Sequence, residues 1–109
     1  MDKGDIVLVN FPFTDFTSSK YRPALVLGSV DRDVTVCFIT TQVVHQSPVD
    51  FLINASENNG LKKASLIKVN KIATLDKILI KGLLGKIDKT GLNKLNIGLA
   101  SFLGLRIIL

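Results

Sequence analysis

The 109 residues suit a single domain, 1–109, and a hydrophobic content of 47% with 6% aromatics and no Trp describes an aliphatic core and not a disordered chain. Fourteen Lys and Arg against nine Asp and Glu give a formal net charge of +5, an excess suited to polyanions such as RNA, although the groups Lys20/Arg22, Lys62/Lys63, Lys68/Lys71 and Lys77/Lys81/Lys86 are dispersed as a solubilising surface also is. One Cys and one His exclude an intramolecular disulfide and a multi-ligand zinc site, and no apolar run is long enough to span a bilayer.

The start, Met1-Asp2-Lys3-Gly4-Asp5, lacks the basic and apolar succession of a secretory signal, so a reducing cytoplasm is the expected location. Ile6 to Phe11 is β-branched and aromatic and ends at Pro12, which predicts an opening strand. Phe13 to Lys20 collects turn formers and predicts a surface loop. Arg22-Pro23 then leads into a strand over Ala24 to Leu27, with proline at its start. Asp31-Arg32-Asp33 is a turn, and Val34 to Thr41 is the clearest strand pattern in the chain, pairing with its predecessor as a hairpin.

Gln42 to Pro48 is polar, Val49 to Ile53 predicts a short strand, and Asn54 to Lys63 is a loop. In Ser65 to Val69 a period of two sets Leu66 and Lys68 on one face, with Ser65, Ile67 and Val69 on the other. Asp76 to Lys81 fits either a short helical turn with an acidic start or a strand, and Leu83 to Ile87 predicts the last strand. Leu92, Leu95, Leu99, Phe102 and Leu103 recur at helical spacing after Asp88, which predicts an amphipathic helix capped there and weakened at Gly98. The apolar tail Leu103 to Leu109 reads as core or as a dimer contact. Short strands joined by turns and closed by one helix predict a mainly β fold, a strongly bent antiparallel sheet or small β-barrel.

The chemistry available is sparse. No GxxxxGK[ST] or strand-linked GxGxxG cradles a nucleotide, and no HExxH or paired CxxC holds a metal, so no cofactor is expected. His45 lies in a polar loop and reads as solvated; Cys37, between Val36 and Phe38, reads as a small buried hydrophobe.

Four segments in order carry a resemblance. Gly4-Asp5 with its strand, Tyr21-Arg22-Pro23 with its strand, Ile39-Thr40-Thr41-Gln42, and Lys71-Ile72-Ala73-Thr74-Leu75-Asp76-Lys77 together resemble the MazF/PemK toxins of type II toxin–antitoxin systems. The resemblance implies an SH3-like barrel of the CcdB/MazF type, a homodimer, and metal-independent cleavage of single-stranded RNA by the substrate's 2′-hydroxyl, leaving a 2′,3′-cyclic phosphate and a 5′-hydroxyl. It also implies a cognate MazE-like antitoxin. The family's catalytic arginine falls on Arg22 and its threonine on Thr40, with Asp15, Thr17, Ser18, Ser19, Lys20, Gln42, Lys68 and Lys71 as RNA contacts. Two positions depart from the pattern: Thr17 stands where an acidic residue is common, and Ala73 where the family has arginine. A non-enzymatic RNA binder or a CcdB-like topoisomerase inhibitor is the alternative on the same architecture.

Overall fold

The computed structural model describes residues 1–12 and 19–106. Six strands, β1 (Asp5–Pro12), β2 (Ser19–Val30), β3 (Asp33–Thr40), β4 (Phe51–Ile53), β5 (Ser65–Asp76) and β6 (Ile80–Lys86), precede one helix, α1 (Lys89–Leu103). All the strands lie in one antiparallel sheet of order β4-β5-β3-β2-β1-β6. The loop after β4 reaches across to the far edge strand, where the Lys86 amide donates to Asn58 O at 2.9 Å. Asn59 holds that loop: it is 4% exposed, its Oδ1 accepts from the Ser56 and Leu61 amides, and its Nδ2 donates to Asn54 O. The sheet therefore curls until its two edges are bridged, the mainly β fold with a C-terminal helix that the strand pattern predicts.

Both faces of the central strands are covered, because alternating residues feed two separate apolar clusters. Ile6, Leu25, Cys37, Ile39, Ile67 and Val69 pack with Leu95 of α1 on one side. Val7, Val9, Ala24, Val26, Val34 and Val36 form the second cluster on the other. Near-continuous burial explains why Ala24 to Leu27 of β2 and Val34 to Ile39 of β3 read as largely apolar runs and not as a clean polar–apolar alternation.

Several boundaries differ from the sequence reading. β2 begins at Ser19 and ends at Val30, since its first half pairs with β1 and its second with β3. Pro23 is thus inside a strand, opposite Leu8, but β3 joins β2 only from Ala24 onward, so one flank of β2 makes no ladder at the proline. β3 ends at Thr40 and not Thr41: the Gln42 amide turns back to donate to Thr40 Oγ1 at 3.1 Å. β5 runs on to Asp76 because residues 72–76 pair with the first half of β3. Its opening also buries both faces, Leu66 as fully as Ile67. Asp76 caps a single 3-10 turn, Lys77–Leu79, through Ile78 N–H, so the segment left open between turn and strand is a turn at its start and strand from Ile80. β6 then starts three residues earlier than the pattern suggests, at Ile80.

The predicted cap of α1 is present, Asp88 Oδ1 accepting from the Gly91 amide at 2.8 Å, and Gly104 ends the helix in the left-handed conformation. The buried stripe of α1 includes Leu95 and Gly98, while Phe102, Leu103 and Leu105 are exposed and lie outside the core of this chain. Residues 107–109 of the apolar tail lie outside the described residues.

Gly98 is a contact and not a defect. A Cβ built there would sit 2.9 Å from the Val49 carbonyl oxygen and 3.4 Å from both Val69 methyls, so glycine lets α1 seat directly on the sheet. We expect Gly98→Val to lower the free energy of unfolding by about 1–3 kcal/mol in urea titration, although glycine costs a helix interior about 1 kcal/mol against alanine. A stabilised Gly98→Val protein would show that α1 is not packed this closely.

Candidate active site

The last paired position between β2 and β3 is Ala24–Phe38. Opposite residues of an antiparallel pair share a face, so Arg22 and Thr40, two residues further on their strands, fall on the same face. The next ladder extends that surface, pairing Phe38 with Lys68 and Thr40 with Leu66. One open cavity of about 560 Å³ results, lined by Phe11, Arg22, Pro23, Phe38, Ile39, Thr40, Lys68 and Lys71. Arg22 and Thr40 also line an adjoining recess of about 150 Å³ with Thr41, Gln42 and Ser65.

The residues expected at the site thus separate. Arg22, Thr40, Lys68 and Lys71 meet in the larger cavity, and Gln42 joins Arg22 and Thr40 in the recess. Lys20, paired with Phe11, is exposed and is not among the lining residues of either. Asp15, Thr17 and Ser18 lie outside the described residues; of Ser19 the structure describes the backbone, which opens β2 opposite Pro12. His45 is exposed, with its carbonyl accepting from Lys68 Nζ at 3.2 Å. No three His, Cys, Asp or Glu side chains come together as a cation site among the described residues.

Thr40 Oγ1 accepts the Gln42 amide, which orients its oxygen and leaves the hydroxyl proton as the group to donate. A guanidinium beside it supplies several donors in a planar fork suited to phosphate oxygens. Arg22 and Thr40 line the same cavity, where such donors suit the negatively charged oxygens of a phosphate.

Asp50 went unnoticed in the sequence, where it is one acid entering a short strand. Its side chain is fully buried, and Oδ2 accepts from Lys68 Nζ at 2.6 Å and from the Ser47 amide at 2.9 Å. Burial pushes the Asp50 carboxyl up, but the bonds from Lys68 and Ser47 outweigh it and hold the group below its ordinary value of 3.8. Lys68 is thereby anchored at the cavity as half of a neutral pair, and the segment carrying Gln42 and His45 is tied down onto β5. Phe11 and Phe38 were also missed; their rings meet edge to face with centroids 5.1 Å apart.

The chain over residues 2–103 matches the model of the PemK-like, MazF-like toxins of type II toxin–antitoxin systems. The chain belongs to this family. Solved structures of similar fold include a mycobacterial endoribonuclease in complex with its cognate antitoxin, at 22% identity, 97% of each chain covered and a TM-score of 0.76. Another is the Mycobacterium tuberculosis toxin MazF-mt6, at 21% identity, 94% of this chain and 99% of that one, TM-score 0.77. A third is MazE-MazF from Deinococcus radiodurans, at 23% identity, 97% of each chain and TM-score 0.75. No curated protein sequence matches the chain significantly. Ala73, in the segment that carries part of the resemblance, pairs with Val36 of β3.

Two outcomes follow from the buried groups. Because the Asp50 carboxyl titrates lower in the folded toxin than in the unfolded chain, its contribution to stability is fully present above about pH 4 and is lost as pH falls through the folded value. Asp50→Asn should cost stability at neutral pH, toward the lower end of the roughly 3–5 kcal/mol for breaking a buried pair since Lys68 reaches solvent, and should flatten the acid limb of a stability–pH profile. An unchanged acid limb would remove Asp50 from that role. Burial pushes the Cys37 thiol up to about 12, so alkylation by iodoacetamide should proceed only with global unfolding; labelling of the native protein at the rate of a free thiol would contradict this.

Proposed function

We propose that this toxin is an endoribonuclease that cuts single-stranded RNA, and that the reaction runs through the substrate's own 2′-hydroxyl. The observation that carries the reading is the convergence of Arg22 and Thr40 on one cavity whose rim also holds Lys71 and the Asp50-anchored Lys68. The 2′-oxygen attacks the adjacent phosphorus, losing its proton as the new P–O bond forms; the P–O5′ bond then breaks and O5′ takes up a proton. The products are a 2′,3′-cyclic phosphate and a 5′-hydroxyl. Charge builds on the non-bridging oxygens of the pentacoordinate phosphorus, where the Arg22 fork and the Thr40 hydroxyl are placed to stabilise it. No step calls for a cofactor or metal, because the nucleophile is part of the substrate and the charge is met by a guanidinium and ammonium groups.

The toxin acts as a homodimer in the cytoplasm and is restrained by a MazE-like antitoxin. Support for the dimer comes from the exposed apolar side chains Val30, Ile78 and Leu83, the last on edge strand β6. Support for the antitoxin comes from the family and from the mycobacterial relative, a complex with its cognate antitoxin. An acidic, flexible partner segment laid over Lys71 and Arg22 would compete directly with RNA. No helix of the described residues is long and apolar enough to cross a membrane.

Purified protein incubated with a long single-stranded RNA in EDTA should cut at a short recurring sequence and leave cyclic-phosphate ends. Arg22→Ala should lower kcat/KM by about 10²–10³ and Thr40→Val by less, since a neutral donor contributes less than a charged fork. Equal cutting by wild type and Arg22→Ala rules out this assignment of the arginine, and an RNA left intact by the folded wild type overturns the enzymatic reading.

A further inference from the structure

The cavity has a second surface that phosphate chemistry does not use. Phe38 is 39% exposed on β3, although the residues that share its face further along the strand, Val36 and Val34, are fully buried. Phe11 on β1 packs against it with an interplanar angle of 67°, and the cavity that holds both rings is lined also by Arg22, Thr40 and Lys71. The edge-to-face contact braces one ring with the other, so an exposed aromatic is held in a fixed orientation and not left to swing. At about 560 Å³ the cavity lies within the range of about 300–1,000 Å³ typical of small-ligand sites, large enough for one nucleotide and too small for a stretch of duplex.

We infer that Phe38, braced by Phe11, is a stacking subsite for one unpaired nucleobase of an RNA whose neighbouring phosphate lies at Arg22 and Lys71. The inference rests on the ribonuclease reading and adds to it where a base sits and why the strand must be single. Charge complementarity commits the subsite to a nucleic acid: an apolar, aromatic floor rimmed by Arg22 and Lys71 matches a nucleotide, whose flat uncharged ring and anionic phosphate sit a few ångströms apart. A base within a duplex is stacked and paired on both sides and offers neither face, so the subsite selects single strands without reading base edges.

Protein and base can be deleted in turn. A single-stranded RNA with 2′-O-methyl sugars binds but cannot be cut; it spans a mapped cleavage site, or is of mixed sequence where no cut is found. Removing one base at a time to leave abasic sugars should reveal a position at which wild-type binding drops roughly 5- to 150-fold by fluorescence anisotropy. In Phe38→Ala, and in Phe38→Leu, which preserves bulk, full-length binding should be weaker by the same factor and that abasic position should become silent. Phe38→Trp should restore it. The salt dependence of binding should be unchanged by these variants, whereas Arg22→Ala should lower its slope by nearly one phosphate contact. Loss of Phe38 without any change in the abasic profile overturns the subsite, as does a Phe38→Ala effect confined to the dimer equilibrium in sedimentation, which would assign the ring to a second copy. Wild-type protein that binds no single-stranded RNA overturns the subsite and the ribonuclease reading together. Coupling between Phe38 and one base in a protein that never cuts leaves the subsite standing and removes only the catalytic reading.

Discussion

Everything at the cavity depends on how β5 meets β3. Their register passes from Phe38–Lys68 to Cys37–Ile72, so Val69, Asn70 and Lys71 stand opposite a single step of the partner strand. In a regular strand residues three apart face opposite ways, and Lys68 and Lys71 could not share a surface. The extra residues rotate the chain between them, so both lysines line the cavity while Val69 drops into the core against Gly98 of α1. The same irregularity lets one long strand pair with both halves of β3 and bends the sheet toward closure.

Burial on both faces makes that bend durable. Each face of β2 and β3 carries its own apolar cluster, and the β5 bulge is held from one side by α1 and from the other by the Phe38 ladder. Strand residues with water on neither side cannot slip register without exposing a cluster, so the cavity floor is as rigid as the core beneath it. Arg22 and Thr40 lie just past the last β2–β3 pair, Arg22 still paired with Val9 of β1 and Thr40 with Leu66 of β5, so the gap that opens between β2 and β3 is where a packed sheet presents chemistry at its rim.

Charge at the cavity is organised more sparingly than the net excess of +5 suggests. Lys68 is compensated by Asp50, a fully buried carboxylate whose Oδ1 has no hydrogen-bond partner among the described residues. Such a pair contributes position more than field: it fixes an ammonium and ties residues 42–50 to the sheet. Surface pairs behave differently, and Arg32–Asp76, 3.8 Å apart and largely exposed, adds little to stability.

The linear order of residues by itself determined the strands, the capped C-terminal helix and the burial of Cys37, and through the family pattern it named Arg22 and Thr40 as the candidates that the fold brings to one cavity, since these rest on local periodicity, capping chemistry and short motifs. It did not disclose that β2 and β5 run more than twice their apparent length, because a strand is extended by partners distant in sequence and not by its own composition. Nor did it disclose Asp50 or Phe38. An acid at a strand entry and a phenylalanine on a strand are ordinary in sequence, and they acquire roles only where Lys68 and Phe11 are brought against them. Gly98 shows the same division: local propensity marks it as a weak point in a helix, and tertiary packing against the Val49 carbonyl makes it the residue on which the helix seats.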